Sequence, residues 1–464
     1  MLIRSTAVVR GTTALAAIIS IALLSSLIGC GGGSSSTTVT PPTPPPTTQT
    51  GIQSSAFGMQ CGNGDTADCE GPNDTIVWPS TQAQPGLLRL HDAGTHWSQM
   101  NPANNSYDWG TLDKWLDLIA QHQPIAVIQV FTWTPCWDST VGTCGISPDA
   151  PTGTNGIPSD LTASGSPTFN AFVTAFTQHC SPAGNCVANL IKYYEMWNEW
   201  NQTFHWTGTM AQVYQMVKPA VALIRTNVPN AVILMPSTTR FSQTGNGFKG
   251  DFQNWLNYEN ANGRISDWVD WHVYLTDTET TTATPEQTWS IYNGVYLSVQ
   301  SSTSGWASTP WANTETNFNG SPELNYSCPS AEYNPDDCTG QIVRWQILHD
   351  SNGASSLDWY KWNQTVGSNS QYESAYYWMM QYLRGGKFTG PASSTGSGTT
   401  EIWSAPFAES NGTAAMFVWT PSETGAAFTV PAGYTSYRDL TGISAATSAS
   451  QQINISTQPV LLEQ

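Results

Sequence analysis

Two carboxylates set the reading of this sequence. The first is Glu199, in the run Tyr193-Tyr194-Glu195-Met196-Trp197-Asn198-Glu199-Trp200-Asn201. The run reads as a short buried strand that ends in Asn-Glu between two tryptophans. The second is Glu315, in Pro310-Trp311-Ala312-Asn313-Thr314-Glu315-Thr316-Asn317, again at the end of a strand-like run. Cleaving a glycosidic bond requires two carboxyl groups that flank it: one protonates the leaving oxygen and the other attacks the sugar or activates water. Glu195 has the same strand parity as Glu199 and is expected to fill the interior in a polar network with Arg89. Glu323 and Glu332 follow no strand-like run and are weaker candidates.

Such carboxylates need a scaffold that brings distant positions to one rim. Strand candidates are 56–60, 87–90, 125–131, 193–197, 231–235, 268–274, 309–314 and 357–360. Helical periodicity marks 112–121, 168–179, 210–227, 252–260 and 341–352 between them. A last helix over 372–383 is stopped by Gly385-Gly386. Strands alternating with helices imply parallel pairing, and eight repeats predict an α/β fold, the (β/α)8 TIM barrel. Sites in such barrels lie at strand carboxyl ends. On this count Arg89 ends the second strand, Glu199 the fourth and Glu315 the seventh, while His272 and Tyr274 close the sixth. After Glu401 the pattern shifts to short alternating runs at 402–406, 414–420, 427–430, 436–439, 452–455 and 460–462. That predicts a small C-terminal antiparallel β-sandwich domain. The expected boundaries are 51–390 for the barrel and 391–464 for the second domain, with the Ser/Thr/Gly-rich 391–400 as a linker.

The Trp197-Asn198-Glu199 strand end, the Glu315 strand end and the eightfold pattern resemble the large clan of retaining (β/α)8 glycoside hydrolases. Within it the chain is most similar to glycoside hydrolase family 39. That likeness is carried by Trp109 and Asp113, by Thr134-Pro135 with Trp137 after strand three, and by the C-terminal β domain. Family 5-like enzymes come next, and Trp200 stands where family 39 carries Pro. The resemblance covers residues 55–464 and implies Glu199 as acid/base, Glu315 as nucleophile, and no cofactor or metal. It implies carboxyl groups about 5 to 5.5 Å apart. The substrate is expected to be an oligo- or polysaccharide with β-glycosidic bonds, with β-xylosides the family 39 choice. Arg89, Asn198, His272 and Tyr274 are the expected substrate-binding residues, with Trp133, Trp137, Trp200 and Trp362 as aromatic candidates near strand ends. Glu199 must carry a proton, and Trp197 and Trp200 are expected to desolvate it and raise its pKa. Glu315 must be ionised, with Arg89 and Tyr274 as its expected donors.

Residues 1–29 lie outside this fold. Arg4 and Arg10 precede a short apolar run over 14–24, which is followed by Leu27-Ile28-Gly29-Cys30. The pattern resembles a bacterial lipoprotein signal, which implies lipidation of Cys30 and an exported, membrane-anchored protein, periplasmic or at the cell surface. The Gly/Ser/Thr/Pro-rich 30–50 then reads as an extended tether. Without Arg4 and Arg10 the chain has 13 basic and 33 acidic side chains, a balance of −20. That argues against nucleic acid as a partner, and a monomer is expected. Only 10% of residues are charged and 21 are Trp, a surface and an aromatic surplus suited to neutral polymers. Eight further cysteines fall in close couples: Cys61 and Cys69, Cys136 and Cys144, Cys180 and Cys186, Cys328 and Cys338. Export makes local disulfides the expected pairing, and no Cys-x-x-Cys is present.

Other chemistries fit less well. A metal hydrolase on such a barrel needs clustered His ligands, and the chain has seven His and no His-x-His. No GxGxxG or Walker-type loop occurs. The rival from another class is a non-catalytic carbohydrate-binding surface lipoprotein, which has no need of two strand-end carboxylates.

Overall fold

Eight strand positions form one parallel sheet that curls on itself. The computed structural model describes residues 51–60, 70–71, 75–76, 78, 83–145, 152–239, 247–275, 284–318, 335–362 and 365–464. The signal segment, Cys30, the tether, Cys61, Cys69 and Cys328 lie outside them. The strands are β1 (Phe57–Gln60), β2 (Leu87–Leu90), β3 (Ala126–Val130), β4 (Tyr193–Glu195), β5 (Val232–Leu234), β6 (Val269–His272), β7 (Trp311–Thr316) and β8 (Ser356–Trp359). From β1 to β5 and from β6 to β8 each pairs in parallel with the next, and β8 returns to β1. Beyond β5, Thr238–Thr239 pairs with β6, and Leu234 bridges Trp268, so the two ends of the sheet meet. The result is an α/β fold of the TIM-barrel type.

β1, β2, β6, β7 and β8 are buried along their whole length, as strands are when helices cover a parallel sheet. The covering helices are α1 (Gly110–Gln121), α2 (Pro167–Gln178), α3 (Met210–Asn227), α4 (Gly247–Asn262), α5 (Gly294–Ser302), α6 (Pro335–Ser351) and α7 (Ser370–Leu383). Local sequence fixes their starts. Ser166 Oγ accepts the Phe169 N–H ahead of α2, with Pro167 at the first helical position. Thr209 and Gln212 form a capping box at α3. The buried face of α3 is Val213, Met216, Val217, Ala220, Val221 and Ile224, at helical spacing.

One feature differs from the sequence reading. The stretch between β6 and β7 is helical: Pro285–Thr288 passes through a π turn, Trp289–Asn293, into α5. Between β1 and β2 the described residues hold no helix, only the paired segments Glu70–Gly71 and Thr75–Ile76.

The C-terminal strands are β9 (Ile402–Ala408), β10 (Ala414–Trp419), β11 (Ala426–Thr429), β12 (Ser436–Arg438), β13 (Ser444–Ala446), β14 (Gln452–Ile455) and β15 (Val460–Glu463). All their pairings are antiparallel. Val418 and Leu462 of the larger sheet pack with Ile453 and Ile455 of the β11–β14 pair. The expected 391–400 linker is part of this sheet, since Ser393–Thr395 pairs with β9. Its side chains are all exposed, so an edge strand here carries no hydrophobic signature. Lys387–Phe388 also pairs with β9. The sheet docks on the barrel helices: the Trp419 indole donates to Glu286 at 2.7 Å, and Tyr382 Oη to the Asp439 carbonyl at 2.7 Å. Cys136 bonds Cys144 and Cys180 bonds Cys186, and Cys338 is also disulfide-bonded. No helix of the described residues is long and apolar enough to cross a membrane.

Candidate active site

The strand carboxyl ends converge on Arg89, which leaves β2 and is wholly buried. Its Nε donates to Glu195 Oε2 at 2.8 Å, and its Nη2 to Glu195 Oε1 at 3.0 Å. Nη1 donates to Glu315 Oε2 at 2.7 Å and also to Gln60. Nη2 reaches Asn198 Oδ1 at 2.7 Å. Burial pulls the guanidinium's pKa down, but the charges of Glu195 and Glu315 hold it well above its ordinary range. Arg89 is therefore a fixed cation that ties β2 to β4 and β7. Glu195 takes the interior position its strand parity implied.

Glu315 lies within β7, where the register slips against both β6 and β8. Such irregularities re-aim a side chain at a barrel rim. One oxygen accepts from Arg89, and the other from the Tyr274 hydroxyl. His91 Nδ1 and His272 Nδ1 lie 3.8 and 3.9 Å from Oε2. Each oxygen of this carboxylate therefore has a donor.

Glu199 follows β4 in a left-handed conformation, with φ 43°. Its N–H donates to Ser237 Oγ at 2.8 Å, and the Ser237 N–H donates to the Trp197 carbonyl at 2.9 Å, locking this turn to the end of β5. Asp92 after β2 (φ 53°) and Trp133 after β3 (φ 59°) share the feature. Non-glycine residues there carry strain of about 1–3 kcal/mol each, and three at adjoining strand ends mark a site.

The Glu199 carboxylate sits between two imidazoles. His272 Nδ1 lies 2.8 Å from Oε1, and His205 Nε2 lies 3.3 Å from Oε2. Burial alone pushes the Glu199 carboxyl up, but hydrogen bonds to His205 and His272 hold it well below the usual carboxylate range. The expectation that Trp197 and Trp200 raise its pKa is therefore corrected. Trp197 packs on Trp206 and Phe169, and Trp200 on Trp255, so neither opposes the imidazoles. His272 carries the proton instead. Burial pulls it down, yet the Glu315 charge and the bond to Glu199 lift it to about 9. Its other nitrogen, Nε2, faces Thr314 Oγ1 at 3.1 Å. One oxygen of Glu199, a nitrogen of His272 and one oxygen of Glu315 lie within 4.8 Å of one another.

The remaining expected residues fall at or near this rim. Asn198 faces Arg89 through Oδ1 and His205 through Nδ2. Trp133 is buried to 1% exposure, Trp362 to 2% and Trp200 to 8%, while Trp137 is half-buried with its indole N–H on the Asn101 carbonyl at 2.8 Å. Trp359 is fully buried as well. Residues absent from the sequence-based set complete the site. His205 is one, and it carried no signal beyond being a lone histidine in a loop. Tyr360, after β8, donates to Asp92 Oδ2 at 3.2 Å. Asp92 also pairs with His91 and His96 at 3.4 Å each. His91, His96 and Asp92 have the donor types of a metal site, as do Glu195, Asp270 and His272, and Glu199, His272 and Glu315. In the last two, Arg89 already supplies positive charge to a carboxylate.

No family model matches the sequence, and no curated protein matches it. Solved structures do resemble the fold. A glucosidase from Croceicoccus marinus is 14% identical with a TM-score of 0.54, covering 89% of this chain and 96% of that one. A family 39 glycoside hydrolase from Bacteroides cellulosilyticus is 14% identical with a TM-score of 0.58, covering 89% and 82%. A family 39 β-xylosidase from Caulobacter crescentus is 13% identical with a TM-score of 0.56, covering 89% and 97%. At these identities the likeness establishes the fold.

Proposed function

We propose that this protein is a retaining glycoside hydrolase that cleaves β-glycosidic bonds, with Glu199 as acid/base and Glu315 as nucleophile. The observation that carries the reading is the approach of the two carboxylates, within 4.8 Å between facing oxygens, at the carboxyl ends of β4 and β7. Retaining enzymes place the two groups about 5 to 5.5 Å apart, whereas inverting ones need about 6.5 Å or more to admit a water. The partners differ as the roles require. Glu315 faces Arg89 and Tyr274, which favour its anion. Glu199 faces a protonated imidazole at 2.8 Å.

In the first step Glu315 attacks the anomeric carbon as the bond to the leaving oxygen breaks. The proton resting on His272 crosses to Glu199, and Glu199 delivers it to that oxygen. Esterifying Glu315 removes the charge that most strongly holds the proton on His272. Glu199, now ionised, takes a proton from water as that water attacks the same carbon and releases Glu315, and with the Glu315 charge restored the proton passes back to His272. Two displacements leave the anomeric configuration unchanged. The fold neighbours include a glucosidase and a β-xylosidase, and β-glucosides and β-xylosides are the first substrates to try.

The test is sugar release from plant and microbial β-glycans and aryl β-glycosides, with the anomer of the first product read by NMR. Glu315→Ala is expected to lose on the order of 10⁵-fold in rate. Glu199→Ala should lose about 10²- to 10⁴-fold on unactivated leaving groups. Activity that survives in Glu315→Ala, or an inverted first product, would sink the assignment. A wild type that binds a glycan but releases nothing would favour a binding protein instead.

A further inference from the structure

Phe204 is an exposed ring at the acid's side of the site. Large apolar side chains exposed to this degree are few among the described residues: Phe204 at 48%, with Ile291 and Ile443. A lone exposed aromatic is ordinarily incidental. Phe204 differs in its setting. Its ring stands at 90° to Trp133, with centroids 5.2 Å apart, and at 83° to His205, 5.1 Å apart. His205 in turn lies 3.3 Å from Glu199 Oε2. Phe204 is therefore one ring further out than the imidazole that touches the acid. Its loop is pinned on both flanks: Asn155 Nδ2 donates to the Thr203 carbonyl at 2.7 Å, and the Trp197 indole to the His205 carbonyl at 3.3 Å. Trp133 beneath it is buried. An apolar ring thus stands partly in water against two buried rings.

We infer that Phe204 is the stacking platform for the leaving-side sugar, the first ring beyond the bond being cut. This rests on the glycosidase reading with Glu199 as acid. The acid must reach the leaving oxygen, so the leaving sugar lies on Glu199's outer side, where Phe204 stands. A pyranose presents an apolar C–H face that suits an aromatic ring, and loss of one such contact costs about tenfold.

The experiment compares a leaving group that needs the platform with one that does not. Substrates are β-D-xylosyl, β-D-glucosyl and β-D-galactosyl fluorides beside the matching β-1,4-linked disaccharides. Fluoride departs without occupying a sugar subsite. In Phe204→Ala the ratio of kcat/KM for disaccharide over fluoride is expected to fall about tenfold. Phe204→Tyr should restore that ratio, which a merely structural role would not move. A wild-type enzyme that is active with a ratio unchanged in Phe204→Ala overturns the platform and leaves the glycosidase reading standing. A wild type inert towards every fluoride and disaccharide overturns both.

Discussion

The two ends of the barrel interior differ within a single pleat along β2, β4 and β6. At the amino-terminal ends of β2 and β4 and just ahead of β6, Leu87, Tyr193 and Trp268 belong to an apolar cluster with Ile128, Val130 and Leu234. Two residues further along the same strands, Leu87 gives way to Arg89, Tyr193 to Glu195, and Trp268 to Asp270 and then His272. The first end needs no partner to be stable, because burying apolar area is favourable in itself. The second is stable only as a set. Arg89 removed from its carboxylates, or they from it, would be an uncompensated buried charge. Backbone strain divides the same way: Asp92, Trp133 and Glu199, all at positive φ, follow the carboxyl ends of β2, β3 and β4. One end pins the fold, and the other spends part of that stability on holding reactive groups apart from water.

Arg89→Met is the sharpest way to break this comparison. It leaves Glu195 and Glu315 facing one another's field with no guanidinium between them. The expected cost is about 3–5 kcal/mol of unfolding free energy, the range for breaking a buried ion pair. Activity should fall at least 10²- to 10³-fold with it, because Glu315 and Asn198 lose the donor that holds them in place. Chemical denaturation and kcat/KM on the same preparation check both. Full stability with lost activity would mean the network serves catalysis alone.

Leu87→Ala attacks the other end. Leu87 opens β2 fully buried in the apolar cluster, and its loss should cost about 3 kcal/mol. The pH profile of kcat/KM should keep its shape, since no charged contact of the carboxyl end changes. A shifted profile would show that the two ends are coupled through β2, and that the division drawn above is false.

How much of this was legible in the chain follows from the same contrast. The strands could be read because short apolar runs bounded by turns need only local sequence. Glu199 and Glu315 could be read because each closes such a run, and Glu195 because parity turned it inward. The helical stretch from Pro285 through α5 could not, since Gly294 and a five-residue π turn interrupt its periodicity. His205 was invisible for a different reason. Its role depends on a loop folding back onto Glu199, and no spacing records that. The direction of the Glu199 shift failed likewise: its flanking tryptophans are adjacent in sequence, but His272 arrives from another strand. The Ser393–Thr395 edge strand went unread because its side chains are all in water.

The smallest effect is also the one that separates the two ends without a core mutation. An apolar cluster contributes stability that does not vary with pH, whereas the carboxyl-end network must. Burial pulls His272 down, but the Glu315 charge and the Glu199 bond lift it to about 9 in the folded protein, against about 6.5 for an unperturbed histidine. Between those values the folded state holds a proton that the unfolded state has released. The contribution is therefore complete below about pH 6.5 and is lost as pH rises through about 9. Asp358, which burial lifts to about 8, acts in the same direction. His349, which burial lowers to about 3, acts in the opposite sense, but only below about pH 6.5, outside this window. His272 alone should thus remove on the order of 2 kcal/mol of unfolding free energy between pH 6.5 and pH 8. Denaturant unfolding across that range should show a shallower slope in His272→Asn than in the wild type, with a residue of slope left by Asp358. Equal slopes would mean that His272 holds no extra proton in the folded state, and the charged end would then owe its stability to Arg89 alone.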